Sequence, residues 1–138
     1  MIDFNYETNF ILKEEDKIIE WLTGLILEEN RKLGDINYIF CDDNYLLKLN
    51  VEFLNHDSFT DIISFDYTVG KELHGDVFIS VERVRENSNT FGVTMLDEIH
   101  RVMSHGILHY CGYKDKSEEQ KKLMRNKENY YLQKLKDS

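Results

Sequence analysis

The stretch from Thr94 to Gly112 constrains this chain more than any other. Met95, Leu96, Ile99, Val102, Met103, Ile107 and Leu108 recur along it at helical spacing. That apolar face is too wide for a surface helix and suits the centre of a core. Thr94 with Asp97 three residues on forms a capping-box-like start, and Gly112 supplies a stop of the left-handed kind. The spacing predicts one helix over Thr94–Cys111, against which the rest of the chain packs.

The remaining segments supply partners for it. Ile2–Glu7 alternates apolar and polar side chains and reads as a strand. From Lys13 to about Lys32, the periodic Ile18, Trp21, Leu22, Leu25 and Ile26 predict an amphipathic helix ended by Gly34-Asp35. Ile36–Cys41 is a second strand, and Asp42/Asp43 cap a short helix running to about Leu54. Asn55–Phe59 is a loop, and Asp61–Tyr67 and Gly75–Ser80 are strands joined by a turn around Gly70. A short helix follows from Val81 to about Asn87, and Ser117 with Gln120 is a capping box opening a last helix to about Leu135. The expectation is an α+β fold, one domain over residues 1–138, with a mixed sheet of about four strands and helices packed on it.

A chain of 138 residues, 41% apolar and 31% charged, buries a core without disulfides or metal staples. No run of eighteen apolar residues exists to span a membrane. The first seven residues lack the basic start and apolar run of a signal peptide. Cys41 and Cys111 are too few for a disulfide framework, so a reducing cytoplasm is the expected compartment. A net charge of −9 argues against indiscriminate binding to phosphate backbones. Between Lys114 and Ser138, however, eight Lys or Arg stand against five Asp or Glu. That basic element is either a solvated helix face or a contact for RNA or an acidic protein.

The chemistry concentrates on His105 and His109. Four residues apart on a helix, they lie about 40° apart in azimuth and about 6 Å apart along the axis. Two imidazoles so placed converge on one ion at bond lengths of about 2.0–2.1 Å. Gly106 between them lets another backbone or a substrate come close. Gly112 then stops the helix, and the reversal brings Asp115 back as a third ligand. Three protein ligands leave the fourth position of a tetrahedral site for water, as a catalytic zinc requires. The prediction is one divalent transition metal per chain, zinc being the best match. The bland alternative, two helical histidines in core or surface roles, is weakened by the glycine stop and the carboxylate at the matching distance. A metalloprotease carries glutamate directly after the first histidine, where this chain has Gly106. Glu98, Asp61 and Asp76 could act as bases or serve as cap, turn and sheet-end residues, so no catalytic base is assigned. His100 falls on another helix face, His74 reads as a turn residue, and Cys111 as core. Tyr130 and Tyr131 offer either stacking surfaces for bases or packing against the sheet.

The stretch His105-Gly106-Ile107-Leu108-His109-Tyr110-Cys111-Gly112-Tyr113-Lys114-Asp115 resembles the signature H-G-x-L-H-x-x-G-Y-D-H of the YbeY family of bacterial rRNA maturation factors. Leu49-Asn50, then Thr60-Asp61-Ile62-Ile63-Ser64-Phe65, then Gly75-Asp76-Val77-Phe78-Ile79-Ser80 resemble that family's other blocks, in order. The resemblance implies a zincin-like fold and a metal-dependent, single-strand-specific endoribonuclease. It further implies action at the 3′ end of 16S ribosomal RNA and in ribosome quality control, with Zn2+ as cofactor and the ribosome or ribosomal proteins as partners. Asp115 stands where the family usually has histidine, which adds a negative charge to the ligand set and lowers the Lewis acidity of the ion. Leu54 stands where an arginine is common, a natural partner for phosphate. His56 and the basic last helix are the candidates to replace it. Two other readings stay open: a metal-dependent hydrolase of a peptide or small molecule, and a ribosome-associated factor whose metal is structural.

Overall fold

In a computed structural model, which describes residues 1–56 and 59–138, the alternation at the N-terminus becomes strand β1 (Ile2–Tyr6). Helix α1 (Glu15–Glu28), strand β2 (Lys32–Cys41) and helix α2 (Asp43–Leu54) follow, then strands β3 (Ile62–Asp66) and β4 (Glu72–Ser80). Helices α3 (Val81–Phe91), α4 (Met95–Tyr110) and α5 (Glu118–Lys136) complete the single α+β domain. The four strands form one mixed sheet in the order β1-β2-β4-β3. β1, β2 and β4 run parallel, and β3 lies antiparallel on the edge.

Register explains which residues meet. Phe4 lies beside Tyr38, Tyr38 beside Val77, and Val77 beside Ser64, one row across all four strands. Because strand side chains alternate, this row and its second neighbours share one face. Apolar residues of α1, α4 and α5 cover that face, while Leu46 of α2 packs with Cys41 and Ile63 on the other. α4 is fastened to the sheet at two points. The buried Tyr38 hydroxyl donates to the Met103 carbonyl at 2.8 Å, and Tyr110 donates to the Phe65 and Asp76 carbonyls. Gly106 faces the sheet rather than a ligand: a Cβ there would meet the Val77 and Ile62 side chains at 3.2 and 3.3 Å. The central helix therefore sits close on its sheet.

Three local expectations are corrected. α1 ends at Glu28, ahead of Gly34-Asp35, because Asn30 takes the left-handed conformation (φ 60°) that asparagine tolerates. Gly34 and Asp35 instead sit in β2, where its register with β4 shifts between Leu33 and Ile36. His74 is accordingly a β4 residue, not a turn residue. Its Nδ1 accepts the Asp35 N–H at 3.1 Å, and a Cβ on Gly34 would lie 2.6 Å from its ring. The third correction is α3, which continues a full turn past Asn87 to Phe91. Part of the expected Asn55–Phe59 loop, residues 57 and 58, lies outside the described residues. The caps behave as their residues dictate. Thr94 accepts the Asp97 N–H at 3.0 Å, and Ser117 and Gln120 form a complete reciprocal box. Among the described residues no helix is long and apolar enough to cross a membrane.

Candidate metal centre

α4 closes in a Schellman motif: Tyr113 N–H donates to Leu108 O and Gly112 N–H to His109 O, with Gly112 at φ 102°. The chain then reverses. Arg31 donates to the Cys111 carbonyl at 2.8 Å and Tyr113 donates to Glu29 at 2.7 Å, so residues after α1 hold the turn from behind. The reversal delivers Asp115 Oδ2 to 3.2 Å from His105 Nε2 and 3.5 Å from His109 Nε2. The two imidazoles lie 4.5 Å apart, nearly perpendicular, and ligand atoms of all three residues fall within 4.8 Å of one another. Two imidazole nitrogens and a carboxylate oxygen converging in this way are a donor set suited to a divalent transition metal. The far nitrogen of His105 supports that fit, because Nδ1 meets Glu128 Oε2 at 2.7 Å and leaves Nε2 facing Asp115.

Electrostatics separates the two histidines. Burial alone would lower His105, yet the hydrogen bond and charge of Glu128, with Asp115 and Asp61, outweigh it and raise its pKa. His109 is held below its ordinary value by burial and by His105 beside it. Glu128 and Asp115 thus favour the protonated form of His105 in the absence of an ion, and an ion would compete with that proton.

The site opens into a cleft of about 560 Å³ between α4, the β3 edge, α3 and α5. Of the three carboxylates considered as bases, Asp61 and Glu98 line it, and burial raises the pKa of both. Asp76 does not line it; its carboxylate accepts from Asn37. Arg101, Lys121 and Arg125 bring positive charge, and Phe91 exposes 58% of its surface at the rim. Leu54 and His56 border an adjoining hollow that shares Thr60, Ile62 and Ser64 with the cleft. Other expectations are sorted by position. Tyr131 is core, and Tyr130 carries Lys134 over its ring beside α1, so neither is a stacking surface of this cleft. His100 packs edge-on against Trp21, and both cysteines are buried with thiol pKa values pushed up to about 12 and 11.

Sequence reasoning missed Arg101, Arg125 and, above all, Glu128. The signal for Glu128 was present: Met124, Glu128, Tyr131, Leu132 and Leu135 form the buried stripe of α5, and one member is a carboxylate.

Comparison with known proteins agrees with this architecture. A family model described as Endoribonuclease YbeY matches residues 2–136. Proteins of that name from Flavobacterium psychrophilum and Flavobacterium johnsoniae are 58% and 60% identical to this chain, over 96% and 93% of it. The alignments cover 94% and 92% of those relatives. The one from Bacteroides thetaiotaomicron is 46% identical over 82% of each chain. The solution structure of TM1509 from Thermotoga maritima superposes with a TM-score of 0.70 at 25% identity, covering 98% of this chain and 89% of that one. By sequence over nearly its whole length, this chain belongs to the YbeY endoribonuclease family.

Proposed function

We propose that this protein is a cytoplasmic, metal-dependent endoribonuclease that cuts single-stranded RNA during ribosomal RNA maturation, at the 3′ end of 16S RNA. One zinc ion per chain would be held by His105, His109 and Asp115. The observation that carries the reading is the convergence of both Nε2 atoms on Asp115 Oδ2 at the wall of a cleft edged with cations. An ion held there supplies Lewis acidity toward a phosphodiester and offsets the charge that develops on it. The chain's own groups do the rest. Arg101 is tied to Glu128 and lies near Glu98, whereas Arg125, 54% exposed and only 3.8 Å at its nearest from Glu128, can turn to meet a phosphate. Phe91 offers a π-face to an unpaired base, which a duplex would keep stacked. Asp61 and Glu98, both raised by burial, are the carboxyls lining the cleft that are placed to act as acid or base.

The test is cleavage of one end-labelled RNA, single-stranded and annealed to its complement, by zinc-loaded, chelator-treated and His105→Ala protein. Only the single strand should be cut. Loss of a ligand should lower the rate by more than about 100-fold, since changes in a ligand's supporting partners alone cost about 10- to 100-fold. Zinc should restore the chelated protein. Equal cleavage by His105→Ala would overturn the reading.

A further inference from the structure

Glu128 is a carboxylate at a position where the packing of α5 calls for an apolar side chain. It is 4% exposed and lies one turn from the buried Met124. An uncompensated charge there is costly, so its partners must repay the loss of water. Each oxygen has its own donor. Oε1 takes Arg101 Nη1 at 3.1 Å, with Arg125 Nη1 3.8 Å away, and Oε2 meets His105 Nδ1 at 2.7 Å. With both oxygens engaged from different directions, the carboxylate cannot rotate. A fixed acceptor at Nδ1 then decides two things about His105: its ring plane, and which nitrogen is free. A carboxylate at Nδ1 favours a hydrogen on that nitrogen, which leaves Nε2, on the Asp115 side, as the nitrogen an ion can take. The structure gives His109 no comparable carboxylate at its outer nitrogen among the described residues.

We propose that Glu128 is the positioning residue of the metal centre, with Arg101 holding the carboxylate that orients His105 and thereby sets the affinity for the ion. Arg101 lies four residues before His105 on the same helix, so α4 carries both groups that grip Glu128. α5 is in this way coupled to the centre without contributing a ligand. The inference rests on the metal reading above.

The experiment titrates zinc into the full chain against a competing chromogenic chelator, and records the visible spectrum of the cobalt-substituted protein. Glu128→Gln keeps the shape but replaces one acceptor oxygen by an amide N–H₂ facing Arg101 or His105. It should bind zinc about 10- to 100-fold more weakly and shift the cobalt bands, with circular dichroism unchanged. Zinc affinity within twofold of wild type in the folded variant would overturn the proposal. A second measurement does not depend on the variant folding. In zinc-loaded wild type, ¹⁵N NMR should show His105 coordinated through Nε2 with its hydrogen on Nδ1, and coordination through Nδ1 would overturn the proposal. Failure of the metal reading is distinguishable, because wild type itself would then take up no zinc and His105→Ala would change nothing.

Discussion

At the scale of single residues, α4 carries three histidines in three electrostatic settings. His100 is 8% exposed, with Nε2 lacking a hydrogen-bond partner and the ring against Trp21. Burial pushes its pKa down to about 4, with Asp97 and Glu14 opposing weakly. His105 moves up and His109 down for the reasons given above. The sign for His100 follows from linkage. A depressed folded pKa contributes stability that is present above the ordinary value of about 6.5 and lost as pH falls toward 4. His105, raised, acts oppositely in the metal-free protein, so the His100 part must be isolated by substitution. We expect urea unfolding of metal-free His100→Leu to lose less stability than wild type on acidification from pH 7 to about 4.5, by about 2–3 kcal/mol. Parallel losses in the two proteins would contradict a neutral, buried His100. The same scale shows what periodicity could reveal. His105, His109 and Asp115 sit within eleven residues, and helical spacing plus a glycine stop made their convergence readable. Glu128 had no such neighbour in the chain, and its partner lies 23 residues away.

At the scale of elements, the turn after α4 matters most, because it converts two helical histidines into a three-ligand set. The left-handed Gly112 is the pivot, and a Cβ in that conformation costs about 1–2 kcal/mol. Gly112→Ala should lower unfolding stability by that amount. It should also weaken zinc binding through displacement of Asp115, while leaving the helical content of α4 intact. Unchanged zinc affinity in this variant would mean that Asp115 is not held by the turn. The cap of α5 is independent of this. Ser117→Ala removes the acceptor for Gln120 N–H and should cost about 1 kcal/mol in thermal unfolding, with no effect on metal uptake. Both caps were legible because capping is a contest among residues only a few positions apart. The end of α1 was misread for a related reason. Asparagine and glycine both reverse a helix, and only the pairing of β2 with β4 selects Asn30 for the turn and assigns Gly34 to the strand.

For the whole molecule, charge distribution limits how RNA can be held. The chain is acidic at −9, and three of the six basic residues of α5 are occupied elsewhere: Lys127 with Glu29, Lys134 with Glu28, Lys136 with Asp97. Arg125 and Lys121 remain at the cleft, with Arg101 deeper. Two or three phosphate contacts give a shallow salt dependence, with a slope of log K against log salt of about −1.4 to −2.1 for a single strand. Arg125→Ala should make it shallower by about 0.7, measured by fluorescence anisotropy across salt concentrations. A slope steeper than about −4 would point to more phosphate contacts than Arg101, Lys121 and Arg125 supply. The α+β class, the central helix with its caps and the return of Asp115 to the two histidines were all legible along the chain. Each of these is set by backbone geometry and side-chain competition over a few residues. The packing of Gly106 on the sheet, the set of carboxylates in the cleft, and the place of Glu128 and Arg101 behind His105 emerge only from the three-dimensional fold. Those contacts join α4 to α5 and to the β3 edge, and pairing across elements depends on how side chains pack in space, which leaves no periodic trace along the chain.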